Sequence, residues 1–298
     1  MRFEKKARIT DSIYLLGKRE SNVYLIDGGD ECAIIGGGII YIAPEVVSQI
    51  EEFGISPQRI SKVIILHSHF DHCGCVPYFK RQWEWLEVMA SERAKDLLSN
   101  PKVVESIRFM NALVLEKEGL KEKAREMGLD FPGIEVDRVL KEGDRVQVGS
   151  FSLDVMEVPG HSSCSIALFE PRQRALFASD AGGIPMGDDV FTAANSNFDR
   201  YMESLQRMAD LNANIHLAEH FGALTEEDAH QFMKRSLESA RRTRELLEKT
   251  YLEVRDVNAA TERVVNMLMP QMDRDFLPRE VIEIVVGQML KYLSKQLS

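Results

Sequence analysis

The chain is poor in several features on which whole function classes depend. It has four cysteines in 298 residues, Cys32, Cys73, Cys75 and Cys164. No two are spaced C-x-x-C, and Cys73-Gly-Cys75 is too tight for an ordinary zinc knuckle, so zinc-ribbon and thioredoxin-like readings fall away and reduced, mostly buried thiols are expected. There is no apolar run near the roughly 20 residues of a membrane-spanning helix. The segment MRFEKKARITDSIYLL has basic residues without the apolar stretch of a signal peptide. A cytoplasmic protein with no membrane partner is therefore expected. Positive charge is scarce: 37 Lys+Arg against 47 Asp+Glu leave a net charge of -10. Such a surface repels phosphate backbones, so no nucleic-acid partner is expected. Repeats and low-complexity segments are absent.

What is present suits a large folded unit. Hydrophobic residues make up 44% and charged residues 28%, enough to bury a core and to exclude disorder. Short apolar runs at 13–16, 23–26, 33–35 and 62–66 alternate with turn signals such as Asp27-Gly28-Gly29-Asp30 and Gly36-Gly37-Gly38, and a helix is expected at about 44–54. Residues 90–128 read as helical, starting at Ser91-Glu92 and stopping at Gly128. A second β-rich stretch spans 138–180, with runs at 145–148, 152–158, 165–170 and 175–178. A helix at 198–211 and a last strand at 214–218 follow. From Thr225 onward the pattern is all helix: a capping-box-like Thr225-Glu226-Glu227-Asp228 opens a helix to about 248, a second fits 257–268, and a third fits 279–296. Two β-halves, each followed by helix, predict two sheets with helices outside.

The sharpest feature is His67-Ser68-His69-Phe70-Asp71-His72. With seven histidines in the chain, chance would produce H-x-H-x-D-H in roughly one such chain in five thousand. Imidazole and carboxylate donors suit zinc and iron. In a loop leaving a strand, His67 and His69 can face one position, and Asp71 and His72 a second. One segment thus begins two adjacent metal sites and finishes neither. Three further sites follow predicted strands in order: Pro159-Gly160-His161, Ser179-Asp180-Ala181-Gly182 and His220-Phe221-Gly222.

The series HSHFDH, PGH, SDAG and EHFG resembles the metallo-β-lactamase superfamily over about residues 10–225. The resemblance implies an α/β protein, an αββα four-layer sandwich spanning 1–224, here with a C-terminal helical extension at 225–298 serving as lid or dimer arm on the same domain. It implies that His67, His69 and His161 bind one metal ion, that Asp71, His72 and His220 bind another, and that Asp180 bridges them. The cofactors would be two divalent ions, zinc or iron, with manganese a further option. The full ligand set looks like the glyoxalase II-like hydrolase branch. His72-Cys73-Gly74, Pro77-Tyr78, Ala90-Ser91-Glu92-Arg93, Phe198-Asp199, Tyr201–Leu205 and Asp275-Phe276-Leu277-Pro278 resemble its PqsE-like, quinolone-signal response thioesterase branch. Gly36-Gly37 stands where many relatives have an Asp-x-Gly turn.

On that resemblance the expected enzyme is a thioesterase cleaving a small acyl-CoA-like thioester or ester with a metal-bridging hydroxide, and Asp71 and Asp180 are its catalytic carboxylates. A thiolate leaves without acid help, which favours a thioester over an amide. The alternative is an effector protein of the PqsE type, acting through protein–protein contact with residual hydrolase activity. On either reading a homodimer through the C-terminal helices is expected. A diiron oxidoreductase and a nuclease are weaker readings. No segment for electron delivery is recognisable, and the charge is wrong for nucleic acid. Several other groups read as structural. His216 falls inside a strand-like run, and His230 on an exposed helix face. The run Arg241–Arg244 can pair at i, i+4 as Glu238–Arg242, Arg241–Glu245 and Arg244–Glu248. Phe109, Met110, Leu113, Met267, Leu268, Met269 and Met289 fit core packing or an apolar substrate wall.

Overall fold

The computed structural model describes residues 1–272 and 278–297. Of the segment Asp275 to Pro278, Asp275, Phe276 and Leu277 lie outside the described residues. Two seven-stranded sheets form the centre. In spatial order the first holds Ala7–Arg8, Ile13–Lys18, Ser21–Asp27, Cys32–Ile35, Ile60–Ile64, Glu87–Ser91 and Arg138–Leu140. The second holds Arg2–Phe3, Ala223–Thr225, Ile215–Leu217, Ala175–Phe177, Ile166–Glu170, Phe151–Glu157 and Arg145–Val148.

Side-chain alternation along the strands sorts the apolar residues into three cores. Ile13 and Leu15 point one way with Tyr24, Ile26, Ile35 and Ile64, and meet Leu153, Val155, Leu168, Phe177 and Leu217 of the opposite sheet. Tyr14 and Leu16 point the other way, with Val23, Leu25 and Ile34, against Val46 and Ile50 of the Ala43–Glu52 helix and Phe79 of Val76–Gln82. On the outer face of the second sheet, Leu176 and Leu224 pack with Phe198, Leu205, Phe232, Leu237, Val264, Ile282 and Leu290. Three cores separate four layers, so the architecture is αββα. The C-terminal helices Glu227–Val254, Val257–Leu268 and Arg279–Leu297 share the third core with the second sheet.

The structure departs from the sequence reading at four places. The strand expected to end at His67 ends at Ile64, although Ile65 N still donates to Met89 O at 2.8 Å. The 90–128 helix is two helices, Glu92–Leu98 and Pro101–Lys117. Ser91 does start the first, its Oγ accepting from Ala94 N at 3.1 Å, but Asn100 caps a new start at Pro101, and Gly119 at φ +67 ends the second well before Gly128. The strand at 214–218 is not the last, because Ala223–Thr225 pairs with it after the His220 turn. For that reason Thr225 cannot cap a helix: it lies in register with Ile215, and Glu226 takes φ 58 with no side-chain cap.

Candidate metal centre

Leu66 anchors the first motif, with its side chain in the inter-sheet core and its carbonyl accepting from Ile166 N at 2.9 Å. The chain then turns into the short helix Phe70–Cys73, so His67 and His69 precede that turn while Asp71 and His72 ride on it. Gly36–Gly38 backs this loop. Gly37 N donates to His72 O and Cys75 N to Gly37 O, at 2.9 and 2.8 Å. A Cβ on Gly37 would lie 2.7 Å from His72 O, so the glycine allows two backbones to touch. His161 follows Gly160, whose φ of +134 and close approach to the Tyr201 backbone exclude a side chain. Asp180 follows Ser179, which holds φ 49 at the end of strand Ala175–Phe177. His220 sits in the turn between Ile215–Leu217 and Ala223–Thr225.

All seven residues singled out from sequence converge at one end of the sheets. His161 Nε2 lies 3.2 Å from His67 Nε2 and 3.0 Å from His69 Nδ1. His220 Nε2 lies 3.1 Å from His72 Nε2, and Asp71 Oδ2 lies 3.6 Å from both. Asp180 stands between the two groups. Its Oδ2 is 3.1 Å from His72 Nε2 and 3.5 Å from His161 Nε2, and its Oδ1 is 3.7 Å from His220 Nε2. Six of the seven are buried, and His69 is half-buried.

The donor set fits cations. His161 Nδ1 donates to Ala193 O at 2.7 Å and His220 Nδ1 to Glu20 O at 2.6 Å, which leaves a lone pair on each Nε2 facing the cluster. Burial, reinforced by the neighbouring imidazoles, holds His67 well below the usual histidine range and brings His69 down to about 3. Lone pairs therefore face each other across about 3 Å, an arrangement that repels unless a cation sits among them. Around His72 the balance differs. Burial works against its proton, but Asp180, Asp71 and Glu219 outweigh burial and raise it well above the usual value. Burial likewise disfavours the Asp180 carboxylate, yet His72 and His220 hold it well below the usual range. This side demands positive charge, which a proton or a metal ion supplies. Asp180 Oδ1 is moreover buried without a hydrogen-bond partner among the described residues. The groups His67–His69–His161 and Asp71–His72–His220 each bring ligand atoms within 4.8 Å of one another.

The sequence profile of the metallo-beta-lactamase superfamily matches residues 16–220. The chain belongs to that superfamily. It is thereby placed among the metallo-hydrolases. The acyl-coenzyme A thioesterase MBLAC2 of Gallus gallus is 26% identical over 208 residues, covering 68% of this chain and 71% of that one. Hydroxyacylglutathione hydrolase GloC of Haemophilus influenzae is 25% identical over 186 residues, covering 58% and 71%. Among solved structures, a metallo-beta-lactamase family protein of Thermus thermophilus superposes with a TM-score of 0.70 at 21% identity, covering 97% of this chain and 95% of that one. That similarity runs through the C-terminal helices and concerns the fold.

One residue of the site was not singled out from sequence. Glu219 is buried; its Oε2 accepts from His72 Nδ1 at 3.0 Å and from Ser179 Oγ. Ser179 Oγ in turn lies 3.2 Å from His67 Nδ1. One carboxylate thus orients an imidazole in each metal group. It occupies the space beside Gly36, where a Cβ would come within 2.1 Å of Glu219 Oε1. The available signal was the pairing of a missing carboxylate in Gly36-Gly37 with an unassigned one in EHFG.

Residues outside the cluster take other roles. His216 is buried against the Phe232 ring, 4.3 Å between centroids, and neither ring nitrogen has a hydrogen-bond partner among the described residues. His230 is exposed and meets Asn214 Oδ1 at 2.9 Å. All four cysteines are free and buried. In the arginine run, Arg244 pairs with Glu248 at i, i+4, as expected. Arg242 reaches Asp189 at 2.8 Å, and Arg244 also ties Asp199 to the helical tail at 2.6 Å. Met110 lines a cavity beside the site, Met289 is core, and Phe109 and Leu113 are exposed. Among the described residues no helix is long and apolar enough to cross a membrane.

Proposed function

We propose that the protein is a dinuclear metal-dependent thioesterase acting on a small acyl thioester of the acyl-CoA type. The observation that carries this is Asp180, whose carboxylate stands between the two imidazole groups, Oδ2 within 3.5 Å of His161 and 3.1 Å of His72 and Oδ1 within 3.7 Å of His220. His67, His69 and His161 would hold one ion, Asp71, His72 and His220 the other, and Asp180 would join both. Nitrogen and oxygen donors serve zinc, iron and manganese alike. Such a pair supplies Lewis-acid polarisation of a carbonyl and acidifies a water towards neutral pH.

The chain's own groups do the rest. Asp180 fixes the separation of the two halves of the site. Asp71 lines the cavity beside the cluster, where its carboxylate would accept the proton of the attacking nucleophile. His161 and His220 keep their Nε2 atoms aimed inward because backbone carbonyls hold their Nδ1 protons. A thiol ionises near pH 8.5, far below an alcohol or amine, so its departure needs no proton donor. The thioesterase and hydroxyacylglutathione hydrolase names of the relatives support the same choice. Residues 225–298 are proposed as an extension integral to the catalytic domain, supported by the apolar core its helices share with the second sheet.

Elemental analysis of the purified protein combined with a panel of CoA and glutathione thioesters tests the reading. Two ions per chain and turnover of at least one thioester are expected, with turnover lost in Asp180→Ala. A metal-replete protein that cleaves none of the panel would overturn it.

A further inference from the structure

The space in front of the candidate metal centre is walled by apolar side chains from two helices far apart in sequence. A cavity of about 560 Å³ opens onto His69, Asp71, His161 and Asp180. Helix Pro101–Lys117 lines it with Val103, Ile107 and Met110, which recur at i, i+4 and i+7 and so share one face. Helix Arg279–Leu297 lines it with Ile284 and Val285, and Phe191 contributes from the Asp189–Phe191 strand. Ile284 is 54% exposed in a chain whose other large aliphatic residues are mostly buried. Among the described residues the one cationic side chain on the lining is Lys102, exposed at the first turn of its helix. Asn195 also lines the cavity and leaves its Oδ1 without a hydrogen-bond partner among the described residues.

We infer that this cavity receives the uncharged, apolar acyl group of the thioester, of medium length such as octanoyl, and that Met110 and Ile284 on opposite walls set the chain length accepted. The inference rests on the thioesterase reading. The carbonyl lies where His161 and Asp180 meet the cavity, and the alkyl chain extends between the two helices. Apolar walls gain from each methylene taken out of water, while a carboxylate carried on the acyl chain would lose its hydration against the same walls. The C-terminal helix is then part of the binding site and not only a brace.

The test is a series of saturated acyl-CoA substrates, acetyl to dodecanoyl, with the metal-loaded full chain. Each methylene between butanoyl and octanoyl should raise kcat/KM by about fourfold, roughly 250-fold over the four. Ile284→Trp projects bulk into the cavity from an exposed position, and Met110→Trp from a half-buried one at the edge of the first core. In each, the octanoyl-to-butanoyl ratio should fall at least about tenfold, as expected when a pocket loses room for methylenes. A flat wild-type profile, or a ratio unmoved in both variants, overturns the inference and leaves the thioesterase reading standing. If no thioester is cleaved, that reading fails, and calorimetric binding of the thioethers S-octyl-CoA and S-ethyl-CoA decides the cavity's role. Tighter binding of the octyl compound, weakened by Ile284→Trp, supports it, and equal binding overturns it.

Discussion

Replacing Glu219 by glutamine probes how the site is held together. The side chain keeps its size but loses its charge and one of its acceptor oxygens. In the native site Oε2 takes both His72 Nδ1 and Ser179 Oγ, and Ser179 in turn sits at His67 Nδ1. An amide oxygen at the Oε2 position accepts both donors without the negative charge that strengthens them, and its NH2 group replaces Oε1, which is buried without a hydrogen-bond partner among the described residues. Outer carboxylates that orient ligating imidazoles are worth about 10–100-fold in metal affinity, or about 1.4–2.7 kcal/mol. Because the carboxylate reaches an imidazole in each group, both ions should weaken. The assay is competition against a chelator of known affinity, with both stoichiometric steps resolved. Cobalt substitution adds a second readout: the exchangeable Nδ1 proton of His72, shifted by the paramagnetic ion, should move or vanish in Glu219→Gln. Affinity for both ions within about twofold of wild type would refute the positioning role, since a merely space-filling side chain would be replaced without such loss.

Three further outcomes are expected from the same geometry. Gly36→Ala places a Cβ 2.1 Å from Glu219 Oε1 at a φ of +86; it should lower the Tm of the metal-free protein and weaken metal binding as Glu219→Gln does. Gly160→Ala meets the Tyr201 backbone within 2.2 Å at φ +134, so His161 should be displaced and metal content should fall towards one ion per chain. Burial lowers His216 to about 3, so the unfolded chain takes up its proton first as pH drops below the ordinary value near 6.5. The stability this neutral histidine contributes is complete above that pH and declines towards pH 3. Between pH 7 and pH 5 the loss is about 2 kcal/mol. Denaturant unfolding of His216→Leu at both pH values should show a smaller pH-dependent loss than wild type by about that amount.

Much of the fold was legible because its determinants are local. The apolar runs around 13–16 and 23–26 became strands buried on both faces, and 145–148 one buried at alternate residues, since both patterns are written into consecutive residues. The helix at 257–268 matched its prediction at both ends. The reading failed where tertiary pairing overrides a local signal. Thr225 resembles a cap and is instead the end of a strand paired with Ile215, and the 90–128 helix breaks at Asn100-Pro101 because a second cap begins there.

The seven residues of the candidate metal centre were identifiable from sequence for a related reason. Each lies in a short motif just beyond a strand, and parallel or antiparallel register then carries the strand ends to one edge of the sandwich. Glu219 and the acyl cavity were not identifiable that way. Glu219 acquires its role only by meeting His72, 147 residues away, in the space Gly36 leaves open. The cavity exists only because the fold brings the Arg279–Leu297 helix and the Pro101–Lys117 helix to one space, so that Ile284 and Met110 both line it. A donor type and its spacing are properties of a few neighbouring residues. A charge partner or a wall across a cavity is a property of packing, which no local pattern encodes.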